Sequence, residues 1–325
     1  MICKLHVDRF ALESGQVVPE LTQAWRVYGQ LNARRDNAIF VFHSLTGGTE
    51  AEQWWRGVVG PGLALDTDRY AVYCPNLLGS CFGTGGLPPG ASVTPRDMAR
   101  FAALLVAADR IRSVALATGG SLGGMVALEW AAELRSLSRA VVVFAAPAAH
   151  TASAIAHNHV QRRALELGGE AGLAVARMAA ILTYRTSAEF EARFGRDRRA
   201  DGAFQVQSYL DHHGDKLVSR MDPTSYRLLI DAMDAHDVGR GRGGVAAALR
   251  AARTRLHGVG IGGDLLYSPG DVRSWVQAAG GSYHELASAH GHDAFLLEPA
   301  AVSAILRRVL AMVETEQIVG LEVAS

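Results

Sequence analysis

Neither charge is in excess in this sequence: 32 lysines and arginines balance 32 aspartates and glutamates over 325 residues. That leaves no basic stripe of the kind phosphate backbones require, so nucleic acid is not an expected partner, although a local cationic patch stays compatible with neutrality. Cysteine is scarce. Cys3, Cys74 and Cys81 are an odd number at spacings that match neither a zinc ribbon nor a CxxC redox motif, and they read as free thiols in a reducing compartment. No apolar run reaches the roughly 20 residues of a spanning helix, and Met1–Asp8 lacks the apolar stretch of a signal peptide. The expectation is a soluble, cytoplasmic protein with no membrane partner. Also missing are a P-loop GxxxxGK[ST], an HExxH pair and a GxGxxG opening a helix with a distant acid, which argues against the chemistries built on them. His212-His213 has no partner cluster and reads as a solvated loop; no metal or organic cofactor is expected.

What is present is an alternation of strand-like and helix-like segments. Val27–Leu31 and Ala38–His43 flank a polar turn cluster, and Tyr70–Cys74, Ser113–Ala117 and Arg139–Phe144 follow as further strand-like runs. Helical patterns at Thr94–Asp109 and Gly124–Ala131 lie between the last three. Strands alternating with helices predict a mostly parallel, doubly wound α/β sheet covered on both faces. From about Ala149 to Ala248 β-branched runs disappear and helical composition takes over; Leu173–Leu182, apolar nearly all round, reads as a helix packed between other elements. Leu256–Ile261 and Pro269–Ala279 then resume the alternation. One α/β domain interrupted by a helical lid is predicted: core at 1–148, lid at 149–248, core again at 249–325. Gly239–Gly244, rich in arginine and glycine, reads as the flexible return from lid to core.

Gly119-Gly120-Ser121-Leu122-Gly123 fits GxSxG, directly after a strand pattern and directly before a helix pattern. The glycines permit the strained turn that exposes a serine hydroxyl, and the Leu122 N–H is aimed at the oxyanion of a tetrahedral intermediate. Such a serine needs a histidine to take its proton and an acid to fix that histidine, in the chain order Ser, acid, His. Asp264 follows the strand Leu256–Ile261, and His292 follows the strand-like Tyr283–Leu286. Taken singly, Asp264 would be a helix cap and His292 an incidental loop residue; in order and after strands, they form a triad with Ser121. His290 is a rival base that spacing does not exclude. A second oxyanion donor is expected from the loop after an early strand, and His43–Gly48 supplies the Leu45 N–H. These residues imply a serine-nucleophile α/β-hydrolase fold, without deciding between hydrolase and transferase.

The local strings resemble the homoserine O-acetyltransferase family of that superfamily. Val27–Ala33, His43-Ser44-Leu45-Thr46-Gly47, Trp54-Trp55, Asp66–Tyr70, Asn76–Gly79, Arg96-Asp97-Met98, Gly120–Met125, Ser208-Tyr209-Leu210 and Gly291–Leu296 are similar to its landmarks, in order. The resemblance covers roughly residues 10 to 310. It implies Ser121 as nucleophile, Asp264 as acid and His292, in preference to His290, as base. It further implies an acceptor site in which Arg177 and Tyr184 bind substrate, Asp293 holds the homoserine ammonium, and Thr46 joins the substrate-binding set. The implied reaction is ping-pong acetyl transfer from acetyl-CoA to L-homoserine, of methionine-biosynthesis type, by a homodimer joined through lid helices. Ser44, Leu122 and Ser80 depart from the family's usual alanine, methionine and glycine. Those departures bear on acyl and acceptor choice, so succinyl-CoA, L-serine, a specialised-metabolite alcohol, or ester or thioester hydrolysis are the alternatives on the same triad.

Overall fold

The structure is a computed structural model that describes residues 1–323. Its chain opens with two strands that carry no continuous apolar run, β1 (Cys3–Ala11) and β2 (Val17–Tyr28), paired antiparallel. The strand expected at Val27–Leu31 is therefore the end of a longer one. It stops at Tyr28 because Gly29 turns the chain at φ +78°, where a Cβ would collide with the Thr67 and Tyr70 carbonyls.

The fully buried runs form the centre of the sheet, as near-continuous hydrophobic strands should. They are β3 (Ala38–Phe42), β4 (Ala71–Pro75), β5 (Val114–Gly120) and β6 (Ser138–Phe144); β7 (Arg255–Ile261) and β8 (Ser282–Leu286) complete the edge. The eight strands lie in the order β1-β2-β4-β3-β5-β6-β7-β8, and every pairing from β4 onward is parallel. Side chains alternate between faces: Phe40 and Phe42 enter one core with Trp130 and Met125, while Ile39 and Val41 enter the other with Trp55 and Leu306. The Phe40 ring lies 4.5 Å from Trp130 and 5.1 Å from Tyr73.

Helices cover both faces. Helix α1 (Pro95–Ala108) starts with a Thr94–Asp97 capping box and proline in its first turn, and α2 (Leu122–Glu133) follows β5 directly. Between β6 and β7 the chain runs through α3 (Ala152–Tyr184), α4 (Ser187–Phe194), α5 (Gln205–Val218) and α6 (Pro223–Asp234), the helical stretch expected there. Helix α3 bends sharply at Gly169, which adopts φ +52°. Leu173, Ala176, Ala180 and Ile181 are buried, but Val175 and Leu182 are half exposed, so this segment has one packed and one open side instead of being enclosed. His212 and His213 lie on α5, not in a loop. Helix α7 (Val245–Arg250) packs on α2 and on α8 (Pro269–Ala279), so the expected lid limit at 248 falls inside a core helix. Helix α9 (Pro299–Val323) covers the second face.

The two ends of the insertion meet. His150 N–H donates to the His236 carbonyl and Val238 N–H to that of Ala148, both at 2.9 Å. The return loop after this stem is pinned, contrary to the flexibility expected of its glycines. Arg240 pairs with Glu13 at 2.8 Å and Arg242 with Glu129 at 2.7 Å, while Arg96 bridges both glutamates at 2.6 and 3.1 Å. Glu129 is fully buried, and its position between two guanidiniums is what makes that burial tolerable. Among the described residues no helix is long and apolar enough to cross a membrane.

Candidate active site

Four loops leave the carboxyl ends of β3, β5, β7 and β8, and because these strands are parallel the loops gather at one edge of the sheet. After β5, Ser121 takes φ +57° and ψ −124°, a conformation that an L-residue adopts only under constraint. The constraint is visible: Ser121 N–H donates to the Phe144 carbonyl at 3.0 Å, and Ser121 O accepts the first bond of α2 from Met125 at 3.0 Å. Glycine is required on both sides. A Cβ at Gly119 would lie 2.5 Å from the Gly123 carbonyl, and one at Gly123 would meet the carbonyl oxygens of Phe42 and His43. The elbow thus abuts the end of β3 with no room for a methyl group.

Asp264 and His292 meet. His292 Nδ1 is 2.8 Å from Asp264 Oδ2, with both side chains essentially inaccessible. The other carboxylate oxygen accepts the N–H groups of Leu266 at 2.8 Å and Tyr267 at 2.9 Å, which fixes the acid's rotation. Burial disfavours the imidazolium, but the charge and hydrogen bond of Asp264, with a smaller contribution from Asp293, outweigh it and raise the His292 pKa above its ordinary 6.5. His292 Nε2 is buried and has no hydrogen-bond partner among the described residues. It is left as a free acceptor in the cavity that Ser121 also lines. His290, by contrast, lies with Nδ1 3.3 Å from Glu189 Oε2, so of the two histidines only His292 engages Asp264.

The cavity is small, about 70 Å³, and is walled by Leu45, Thr46, Ser121, Arg177, Tyr184, His292 and Asp293 among others. All the expected site residues except Asp264 and Leu122 line it directly; Asp264 stands behind His292, and Leu122 is the first residue of α2, where a backbone N–H has no intrahelical acceptor. Leu45 belongs to a loop held by His43. The Leu77 N–H donates to His43 Nε2 at 3.0 Å, which leaves Nδ1–H to donate to the Ser44 carbonyl at 2.8 Å. Burial lowers the pKa of His43 to about 4, so this brace stays neutral. Across the cavity Arg177 stacks over the Tyr184 ring, 5.5 Å from its centroid, and makes no ion pair among the described residues. The Tyr184 ring in turn lies 5.4 Å from that of His292.

Several residues here were not foreseen from sequence. Arg185 pairs with Asp293 at 3.2 Å and with Glu189 at 3.3 Å, and Arg220 donates to the Thr46 carbonyl at 2.8 Å, tying the α5–α6 turn to the Leu45 loop. Tyr267, whose N–H holds Asp264, is itself held through its hydroxyl by His150 at 2.9 Å. Only tertiary proximity gives these residues meaning; nothing in their local sequence does.

A family model described as alpha/beta hydrolase fold matches residues 37–210. Homoserine O-acetyltransferase from Thermobifida fusca (strain YX) is 40% identical over 344 residues, spanning 92% of this chain and 91% of the relative. This chain belongs to the homoserine O-acetyltransferase family. A crystal structure of homoserine O-acetyltransferase from Staphylococcus aureus is 28% identical, with a TM-score of 0.84 over 95% of each chain. An acetylester hydrolase from Corynebacterium glutamicum shares the fold at a TM-score of 0.85 over 96% of each chain, with 19% identity. The family's α/β-hydrolase fold and mostly parallel eight-stranded sheet are those of this chain, which is an enzyme of that type.

Proposed function

We propose that the protein transfers the acetyl group of acetyl-CoA to the hydroxyl of L-homoserine through an acyl-Ser121 intermediate. The observation that carries this reading is the charge pattern of the cavity. Arg177, which makes no ion pair among the described residues, lines it together with a carboxylate, Asp293, and with Ser121 and His292. A guanidinium grips a carboxylate and a carboxylate pairs with an amine, so a small zwitterion would be held with its hydroxyl free to reach the acyl-serine.

In this reading His292 Nε2 takes the Ser121 proton as Oγ attacks the thioester carbonyl. The oxyanion lies between the N–H groups of Leu45 and Leu122, and collapse expels CoA as the thiol with the proton from His292. Homoserine's hydroxyl then gives its proton to His292 and attacks the acyl-serine, and O-acetylhomoserine leaves as Ser121 regains its proton. No metal or organic cofactor takes part, and CoA is a substrate. Water is the competing nucleophile, and a cavity of about 70 Å³ disfavours it by leaving little space beside a bound acceptor.

Two further elements belong to the proposal. A cytoplasmic setting is supported by three cysteines that form no disulfide. A homodimer through the inserted helices is supported by exposed Ile155, Val160, Leu167, Val175 and Leu182, all on α3.

The test is release of CoA thiol from acetyl-CoA with L-homoserine, L-serine or no acceptor, alongside a succinyl-CoA series. Strong stimulation by homoserine with acetyl-CoA, lost in Ser121→Ala, is expected. Rapid release without acceptor would make the protein a hydrolase, and a preference for serine or succinyl-CoA would redirect the substrate assignment.

A further inference from the structure

The acid end of the cavity is already occupied by an ion pair. Asp293, in the turn Gly291–Asp293 that also carries His292, has Oδ2 3.2 Å from an Arg185 guanidinium nitrogen. Arg185 follows α3 directly, and its other terminal nitrogen lies 3.3 Å from Glu189 on α4. All three side chains are largely buried, with exposures of 12% for Arg185, 17% for Asp293 and 14% for Glu189. His290 approaches the far oxygen of Glu189 at 3.3 Å and adds charge only when protonated.

Two carboxylates against one guanidinium leave this largely buried trio one positive charge short. A net negative charge held away from water is unfavourable unless a cation completes it. Across the cavity Arg177 is the opposite case, a cation with no carboxylate partner among the described residues. The cavity is therefore polarised, and each end lacks one charge of a zwitterion.

We propose that Arg185 is a positioning residue that makes Asp293 selective for the acceptor's amine. This rests on the acceptor reading given above. By engaging Oδ2, Arg185 fixes the rotation of the Asp293 carboxylate and leaves Oδ1 as the oxygen available to a substrate ammonium. Glu189 balances the guanidinium, so the arriving ammonium makes two cations and two carboxylates, and Arg185 need not be displaced. An acceptor with the same hydroxyl and carboxylate but no amine would leave the trio uncompensated. Arg185 thus discriminates between acceptors while taking no part in acylation of Ser121.

The experiment compares wild type with Arg185→Met and Arg185→Lys in three assays. These are the first-turnover burst of thiol from acetyl-CoA alone, kcat/KM with L-homoserine, and kcat/KM with 4-hydroxybutyrate, which lacks only the amine. Arg185→Met is expected to keep the burst within about twofold and to raise the homoserine KM about tenfold or more, the effect of weakening one charge-assisted contact. The ratio of homoserine to 4-hydroxybutyrate efficiency should fall by a similar factor, with Arg185→Lys intermediate. If the burst weakens, or if both acceptors lose efficiency equally, Arg185 is a structural brace and the proposal is overturned. Should Arg185→Met fail to fold, the lysine variant decides by the same ratio. A wild-type enzyme that homoserine does not stimulate would instead overturn the acceptor reading itself.

Discussion

Substituting Asp264 by asparagine tests the site at its most determined point. The carboxylate makes three contacts: Oδ1 accepts two backbone N–H groups, from Leu266 and Tyr267, and Oδ2 accepts the His292 Nδ1 proton. Asparagine has one acceptor oxygen. If that oxygen faces the imidazole, the side-chain NH2 points at two N–H donors, so the favoured orientation keeps the oxygen on the two amides and turns the NH2 toward His292. Nδ1 must then accept, which moves the imidazole proton to Nε2 and removes the lone pair that would deprotonate Ser121.

The same tautomer reversal in a serine protease triad lowers kcat about 10⁴-fold, which corresponds to about 5.4 kcal/mol at 1.36 kcal/mol per decade. Stability should change far less, by about 1 kcal/mol, because both backbone amides remain satisfied. Asp264→Ala, which orphans them, should melt lower than Asp264→Asn. The charge of Asp264 also raises the His292 pKa, and in the proposed reaction it is neutral His292 that acts as base. Activity of the wild type should therefore fall as pH drops through a value above 6.5, and the residual activity of the asparagine variant should persist to lower pH. Thiol-release assays across pH, with thermal melts, provide the readout. An asparagine variant retaining more than about a tenth of wild-type turnover would refute the argument from orientation.

Gly123→Ala would place a methyl group 2.8 Å from the His43 carbonyl oxygen and closer still to that of Phe42. We expect about 1–3 kcal/mol of lost stability, and at least a 100-fold loss of turnover as the elbow and the Leu45 loop are forced apart; wild-type melting and activity together would contradict the packing described. Arg177→Met should raise the acceptor KM at least about tenfold while leaving slow hydrolysis of the acyl-enzyme within about twofold, and equal losses in both assays would mean a structural role. Replacing Val160 and Leu167 on α3 by glutamate should convert a dimer to a monomer in light scattering without unfolding it, since both side chains are exposed within the chain. An unchanged mass would place any self-association elsewhere.

Ser121, Asp264 and His292 were legible as candidates because each follows a strand and because chain order restricts the roles they could take. The helical insertion was legible from the loss of β-branched runs from about Ala149 to Ala248, and the helices lie between Phe144 and Arg255. Strand β1 and the part of β2 before Val27 were not legible, since along Cys3–Ala11 exposed positions alternate with others that are, Phe10 apart, only partly buried, a weaker signal than the buried runs of β3 to β6. Arg185, His43 and Arg220 escaped for a different reason. Their roles are relations to residues dozens of positions away, such as Asp293, Leu77 and Thr46, and no local pattern encodes those pairings. The return loop misled because glycine signals backbone freedom, while the flanking arginines that remove it needed Glu13 and Glu129 to be brought near.

The stem at Ala148–Val238 and His150–His236 has a consequence for how such an enzyme can diverge. It closes the insertion at its base, so the entropy of bringing the ends together is settled there, and each doubling of the intervening length adds only about 0.6 kcal/mol. Ser121, Asp264 and His292 lie outside that closed loop, whereas Arg177, Tyr184 and Arg185 lie inside it. On the proposed reading the bond-making residues, together with Asp293, are thus heritable separately from the part of the acceptor site that Arg177 and Tyr184 supply: a lineage could lengthen, shorten or exchange the looped segment as a cassette and change how its alcohol is held without disturbing the strands that carry Ser121.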